Sequence, residues 1–245
     1  MTEPLHILDG GGLIYRAYHA TAGTGPTAAL QALASMLGRL ERDQRPRRAV
    51  VALDSRGRTW RHEIYGDYKA GRPPAPPDLI AQLQRVAPLT RALGWPTVAT
   101  PGLEADDLVA ALVAQGRAAG WPCVIHAADK DLLQLVGPGV AMVDAVRKVE
   151  WDAQLVQAKF GVPPDRVGDF LAIRGDDGDN VPGVAGAGDK TAAELVNRYP
   201  DVEALIAANP KVRGKFPLAP GAPGVELLRL SRRLVELCAD VDVGQ

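Results

Sequence analysis

Cysteine is nearly absent from these 245 residues, occurring only as Cys123 and Cys238. Far apart and in apolar surroundings, the two read as buried thiols of a reducing compartment, with no thiolate metal site indicated. Serine is also scarce, at Ser35, Ser55 and Ser231. None sits in a Gly-x-Ser-x-Gly elbow, so a Ser-His-Asp hydrolase is unsupported. No apolar run approaches the ~18 residues needed to span a bilayer. The start, MTEPLHILDG, has neither a basic n-region nor an apolar h-region. These absences predict a soluble, cytoplasmic protein with no membrane partner. No sign of charge dominates: 28 Lys/Arg face 29 Asp/Glu, net −1, which alone argues neither for nor against nucleic acid. What is plentiful is apolar surface, 47% of residues, enough for one globular unit with a real core. No internal repeat is found.

In the first half, short apolar runs alternate with helical patterns. Strands are expected at Leu5–Leu8, Ala49–Leu53, Thr97–Ala99 and Cys123–Ala127. Helical spacing links Leu30, Leu33, Leu37 and Leu40, and a helix is expected over Glu104–Ala119. Such alternation implies a parallel sheet covered on both faces. From about Trp151 the strand signal disappears, and helices are expected near Asp152–Phe160, Pro164–Arg174, Lys190–Arg198 and Val225–Cys238. The Pro- and Gly-rich stretch Pro210–Gly224 reads as an irregular loop. The expectation is an α/β core over residues 1–150 and a helical region over 151–245.

The first two strands run straight into acids, at Asp9 and Asp54. The third is followed, after a Pro-Gly turn, by Glu104, Asp106 and Asp107, and the fourth by Asp129 and Asp131. In an open parallel sheet, ligands bind beyond the strands' carboxyl ends, so these groups should converge on one edge. Glu104 and Asp107, three apart at a helix start, should share a face. So many carboxylates need a compensating cation, and an all-oxygen set selects Mg²⁺ or Mn²⁺. A pair of such ions ~4 Å apart drives in-line attack of water on a phosphodiester. The bland alternative is that each acid forms a turn or complements a helix dipole, and the joint pattern argues against it. The cluster Gly175-Asp176-Asp177-Gly178-Asp179-Asn180 lacks the spacing of an EF-hand loop, and Asp176 and Asp179 are expected in the same crevice.

Two glycine-rich stretches invite nucleotide readings that fail. Asp9-Gly10-Gly11-Gly12 lacks the dinucleotide spacing. In Gly183–Thr191, Asp189 interrupts the Gly-Lys pair of a phosphate loop, and Pro182 stands where a strand should end. Gly183, Gly186 and Gly188 instead allow a tight turn, and the helix starting near Lys190 offers its N-terminus to a DNA backbone phosphate. Setting aside the nine proposed metal ligands leaves 20 Asp/Glu against 28 Lys/Arg, a balance of +8 that suits a phosphate-binding surface. Residues 39–72 hold ten Lys/Arg against five Asp/Glu. Within them Tyr65, Tyr68, Lys69 and Arg72 precede a proline-stiffened break, a pattern able to stack a base and hold a phosphate.

The runs LDGGGLIYRAYHA (Leu8–Ala20), DYKAGRPPAPPDL (Asp67–Leu79), GLEADDLVA (Gly102–Ala110), ADKDLLQLV (Ala128–Val136), FLAIRGDDGDNVPGVAGAGDKTA (Phe170–Ala192) and LSRRLVEL (Leu230–Leu237) carry a resemblance. The chain resembles the 5′-nuclease domain of bacterial DNA polymerase I, within the flap endonuclease superfamily, from Leu5 to about Val243. The resemblance implies a PIN-like (Rossmann-like) α/β core with a mostly parallel sheet, a helical arch around Tyr65–Gln82, and a C-terminal helix-hairpin-helix subdomain. It implies phosphodiester hydrolysis from or near DNA 5′ ends and 5′ flaps, in replication and repair, with the nine acids holding two Mg²⁺ or Mn²⁺ ions. It implies scissile-phosphate contacts at Lys69 and Arg72, and DNA contacts at Arg16, Tyr68, Gly183, Gly186, Gly188, Lys190 and Thr191, with a potassium ion at the hairpin. The sequence departs from the family pattern at Gly11-Gly12, at Asp177-Gly178 and in Pro210–Gly224.

A monomer is expected, either a stand-alone exonuclease similar to bacterial exonuclease IX-like proteins or a piece of a longer chain, with a DNA polymerase as a possible partner. The alternatives are a structure-specific DNA-binding module without catalysis, for which Asp177 is the suspect residue, and a PIN-like ribonuclease.

Overall fold

The computed structural model describes residues 2–145 and 147–243. Six strands form one sheet: β1 (Leu5–Asp9), β2 (Arg48–Ala52), β3 (Thr97–Val98), β4 (Cys123–His126), β5 (Val140–Asp144) and β6 (Val149–Trp151). Their order is β3-β2-β1-β4-β5-β6, and every neighbouring pair is parallel except β5–β6. All five residues of β1 are buried, as befits the strand flanked by β2 and β4 and covered on both faces. Register places Asp9 beside Ala52, and Leu8 beside His126, so the chain leaves β1, β2 and β4 at one common edge.

One face is covered by α1 (Gly10–Ala20), α2 (Ala28–Gln44) and α4 (Pro77–Ala92), whose Ile14, Leu33, Leu37 and Val86 pack with Leu8 and Val51. The other carries α5 (Ala105–Ala118), with Leu108 and Leu112 against Ile7, Val50 and Ile125. That second cluster runs on without a break into α7 (Val167–Arg174), α8 (Asp189–Arg198) and α10 (Pro223–Leu234). The helical region therefore shares its core with the sheet. Short α3 (Trp60–Ile64), α6 (Ala153–Phe160) and α9 (Val202–Ala208) complete the α-helices among the described residues, beside 3₁₀ turns at Asp131–Leu135 and Pro164–Arg166.

Several expectations are corrected. The sheet does not end at the fourth strand, because β5 and β6 add a short antiparallel edge pair up to Trp151. Helical spacing gave no sign of α4, whose first turns fall within Tyr65–Gln82, the stretch expected as a helical arch. Helix α10 stops at Leu234 instead of running to Cys238. The buried Arg61 draws the following backbone away, donating to the carbonyls of Leu234 at 2.8 Å and Glu236 at 2.6 Å. Cys123 is buried, but Cys238 is only half-buried; both are free thiols. Among the described residues, no helix is long and apolar enough to cross a membrane.

Candidate active site

At the carboxyl edge of the sheet lies a cleft of about 630 Å³ lined by Asp9, Asp54, Glu104, Asp106, Asp129 and Asp179, with Lys69, Arg72, Arg16 and Tyr15 on its walls. The three glycines after β1 create room for the acids. Asp9 caps α1, its Oδ1 accepting from the Gly12 amide at 2.9 Å. A Cβ on Gly12 would stand 2.1 Å from Asp9 Oδ2, and one on Gly11 2.3 Å from Asp54 Oδ2. Asp54 accepts from the Ala105 amide at 3.0 Å, which ties the end of β2 to the start of α5.

Electrostatically the set is frustrated. Burial, followed by the charges of Asp54 and Asp129, pushes the Asp9 carboxyl up to about 7. Burial, with Asp129, Asp9, Asp131 and Asp54 nearby, holds Asp106 well above the usual carboxylate range. Asp131 is pushed up to about 7 by burial and by Asp129. Among the described residues its buried Oδ1 takes part in no hydrogen bond, and Lys130 Nζ stands 3.3 Å from it.

Side-chain cations occupy much of what remains. Glu104 accepts from Lys69 Nζ at 2.7 Å, the Tyr68 hydroxyl at 3.1 Å and Arg61 Nη1 at 3.2 Å. Asp179 pairs with Arg72, accepts from the Tyr68 hydroxyl at 3.2 Å, and has Lys69 Nζ at 3.8 Å. Asp176 pairs with Lys130 and accepts from the Gly178 amide at 2.9 Å. Against the upward push of burial, the Lys130 bond holds the Asp176 carboxyl below its ordinary range.

Eight of the nine sequence-proposed ligands thus gather in or beside the cleft: six line it, while Asp131 and Asp176 stand behind with Lys130. Asp107 does not join them. It is fully buried and accepts from Arg61 at 2.8 and 2.9 Å, Trp60 Nε1 at 3.1 Å and the amides of Cys238 at 3.1 Å and Glu104 at 3.3 Å. Tyr68, expected at the DNA surface, is 4% exposed and holds Glu104 and Asp179 from behind. Arg16 reaches the cleft but is paired with Asp144 at 2.9 Å. Among the described residues, no three acidic, imidazole or thiol groups stand close enough to close a metal shell unaided. Like charges repel, and Arg61, Lys69, Arg72 and Lys130 already pair with acids of the set.

The glycine turn is present beyond α7. Gly175 and Gly183, at φ +78° and +67°, pack backbone to backbone, and a Cβ on Gly183 would meet the Gly175 amide at 2.7 Å. The Gly183 amide donates to the buried Ser231 Oγ at 2.9 Å. Gly186, Gly188 and Lys190 are exposed and Thr191 is half-buried, with Asp189 to Thr191 opening α8. The sequence reading missed Arg61, hidden among ten cations in residues 39–72, and Lys130, although it stands between two proposed ligands.

The family model described as "5'-3' exonuclease, N-terminal resolvase-like domain" matches residues 4–161, and "5'-3' exonuclease, C-terminal SAM fold" matches residues 162–245. The chain belongs to the 5′-3′ exonuclease family. It is 37% identical over 246 residues to a 5′-3′ exonuclease of Aquifex aeolicus, covering 98% of this chain and 84% of that one. It is also 37% identical to DNA polymerase I of Rhizobium leguminosarum, where it spans only 25% of the relative's length. The solved T5 5′-exonuclease with bound zinc shares the fold, with a TM-score of 0.83, 22% identity, and coverage of 96% of this chain and 90% of that one. The flap endonuclease of bacteriophage T5, solved as a complex with DNA and metal ions, has a TM-score of 0.80 at the same identity and coverage. The two family models meet between residues 161 and 162, whereas the last strand of the sheet ends at Trp151 and helices follow from Ala153.

Proposed function

We propose that this member of the 5′-3′ exonuclease family is a divalent-metal-dependent 5′→3′ exonuclease and 5′-flap endonuclease of DNA. The observation that carries the reading is the convergence of Asp9, Asp54, Glu104, Asp106, Asp129 and Asp179 in one cleft with Lys69 and Arg72. The donor set fits hard divalent cations: it is all oxygen, it is charge-frustrated, and it contains the orphaned Asp131 Oδ1. Asp9, Asp54, Glu104 and Asp106 would hold chiefly one Mg²⁺ or Mn²⁺, and Asp129, Asp131, Asp176 and Asp179 chiefly the second. When bound, such ions supply a nucleophile at neutral pH and neutralise charge on phosphate oxygens.

The chain's own residues supply position and charge. Lys69 and Arg72 leave Glu104 and Asp179 for the scissile phosphate, where their charge stabilises the developing negative oxygens. Tyr68 fixes Glu104 and Asp179 while that exchange takes place. The turn Gly183–Gly188, exposed at Gly186 and Gly188, and the start of α8, with Lys190 and Thr191, grip a duplex backbone phosphate, and carbonyls of that turn hold potassium. The segment Tyr65–Gln82 forms the arch over a 5′ strand. The protein works as a cytoplasmic monomer, with DNA polymerase activity supplied by the same chain or a partner.

Asp177, the added carboxylate, is exposed and outside the cleft lining, so the non-catalytic alternative loses the residue that suggested it. A 5′-labelled flap duplex incubated with Mg²⁺, with and without chelator, tests the reading. Chelator-sensitive release of the flap is expected, whereas cleavage that survives chelation, or none with either Mg²⁺ or Mn²⁺, overturns it.

A further inference from the structure

Apart from the acidic cleft there is a second cavity, of about 340 Å³, whose walls carry Lys130, Lys159, Arg174 and Lys190 against the single carboxylate of Asp189. Arg174 takes that carboxylate at 2.6 Å. Lys159 and Lys190 are exposed, and among the described residues neither pairs with an acid. Lys159 Nζ lies over the rings of Trp151 at 4.8 Å and Phe160 at 5.5 Å, which holds its stem against the cavity wall. Lys190 stands in the first turn of α8, where the helix adds positive potential. A surplus of cations beside a helix start suits a phosphodiester and reads no base.

Lys130 belongs to both places. It lines this basic cavity, yet its ammonium is bonded to Asp176 and stands 3.3 Å from Asp131 Oδ1. An ammonium that close repels a divalent ion and competes with it for the same carboxylate charge. A phosphate in the basic cavity offers that ammonium a second partner within reach of its own flexible stem.

We propose that the Lys130–Lys159–Lys190 cavity seats a backbone phosphate of duplex DNA, and that Lys130, shared between this cavity and Asp131/Asp176, couples duplex binding to occupancy of the second cation site. The inference rests on the assignment of Asp131 and Asp176 as ligands. Without DNA, Lys130 pairs with Asp176, stands beside Asp131 and opposes the second ion. With a duplex seated, Lys130 turns to the phosphate and the acids are released, so the site is completed only when DNA is in place. Linkage makes the effect reciprocal: the second ion must tighten duplex binding by the same factor.

The test is a Mn²⁺ titration of the full chain, followed by electron paramagnetic resonance and calorimetry, with and without a dumbbell duplex that has no 5′ end to enter the cleft. In the unsubstituted protein the dumbbell should tighten the weaker Mn²⁺ by about tenfold, within the usual range of coupling between sites. Lys130→Met should bind that ion about tenfold more tightly without DNA and gain nothing further from the dumbbell. Lys159→Ala, which leaves Lys130 in place, should weaken the tightening, with circular dichroism and Tm reporting that each variant is folded. Tightening that persists in Lys130→Met, or a DNA-free affinity no higher than that of the unsubstituted protein, overturns the coupling while leaving the ligand assignment intact. If neither protein takes a second Mn²⁺ with or without DNA, the assignment of Asp131 and Asp176 fails and the inference falls with it.

Discussion

Asp106 and Asp107 are adjacent in sequence, and the structure gives them opposite roles, which a pair of amide substitutions separates. Asp107 is fully buried and accepts two Arg61 bonds, at 2.8 and 2.9 Å, along with the Trp60 indole and two backbone amides. Asp107→Asn leaves a buried guanidinium short of its counter-charge and turns an amide NH₂ toward one of its donors. Breaking a buried pair by removing one partner costs about 3–5 kcal/mol. For a chain of this size that is a fall in Tm on the order of 10 °C. Asp106→Asn goes the other way. It removes one charge from a cluster in which burial and Asp129, Asp9, Asp131 and Asp54 already oppose ionisation, so the metal-free protein should gain stability.

Thermal and urea unfolding in chelator, followed by Mn²⁺ calorimetry on the folded variants, gives both readouts. Asp107→Asn should be strongly destabilised yet, where folded, bind Mn²⁺ within about tenfold of the unsubstituted protein, a difference under ~1.4 kcal/mol. Asp106→Asn should be at least as stable as the unsubstituted protein in chelator and should lose Mn²⁺ affinity. An Asp107→Asn variant that keeps its Tm and loses its metal would refute this division of roles.

Three further outcomes are expected. Lys69→Ala should lower kcat by about 10²–10³ with little change in KM, as for loss of one transition-state donor, read by single-turnover cleavage of a labelled flap. Gly12→Ala puts a Cβ 2.1 Å from Asp9 Oδ2, so it should displace that carboxylate and weaken Mn²⁺ binding more than Gly188→Ala, where nothing lies within 4 Å, weakens it. The buried His126, stacked on His6 with Nε2 2.9 Å from His6 Nδ1, is pushed down to about 4, by burial first and His6 second. The unfolded chain therefore takes up a proton near 6.5 that the folded chain refuses until about 4. His126 leaves stability unchanged above pH 6.5 and costs up to ~3 kcal/mol as pH falls from 6.5 to 4. Asp9 and Asp131, with carboxyls near 7, slope the opposite way, so urea unfolding across that window should be compared between the unsubstituted protein and His126→Leu. Equal slopes would discard the His126 contribution.

How legible the fold was depended on how plainly each element buries apolar residues. β1 announces itself because all five of its positions are buried, and α2 because Leu30, Leu33 and Leu37 recur on its inner face. Helix α4 does not. Two of its four buried positions are Gln82 and Thr90, Pro88 sits inside it, and its first residue follows a run of prolines. Gln82 is buried because its Oε1 accepts from the amides of Ala29 and Leu30, at 3.1 and 3.3 Å, capping the start of α2. That partner lies some fifty residues away, where no local pattern can show it. β5 and β6 escaped because β5, although as long as β1, buries only alternate positions, and the edge strand β6 has three residues, one of them buried.

The acids were legible for a different reason: parallel topology delivers the strand ends to one edge, so acids that follow strands gather in one cleft. The single displaced acid, Asp107, obeys a local rule that was also readable. Glu104 and Asp107 occupy the first and last places of a capping box, each accepting from the other's backbone, which turns Asp107 back from the cleft. What sequence could not show is which cation meets which acid. Arg61 and Lys130 look like ordinary solvated charge in the sequence, and Lys69 and Arg72 stand out there only as a phosphate grip, yet in the folded protein all four partition the carboxylates. Arg61 permanently claims Asp107 and braces Glu104 from behind, at 3% exposure. Lys69, Arg72 and Lys130 lie nearer solvent and hold Glu104, Asp179 and Asp176 in pairs that a phosphate can compete for. The difference is burial. A cation sealed in the core cannot exchange partners without an uncompensated charge, whereas one at the rim exchanges at little cost. Exchangeable cations paired with metal ligands are what a nuclease needs if its carboxylates are to be neutralised without substrate and released when the substrate's phosphates arrive.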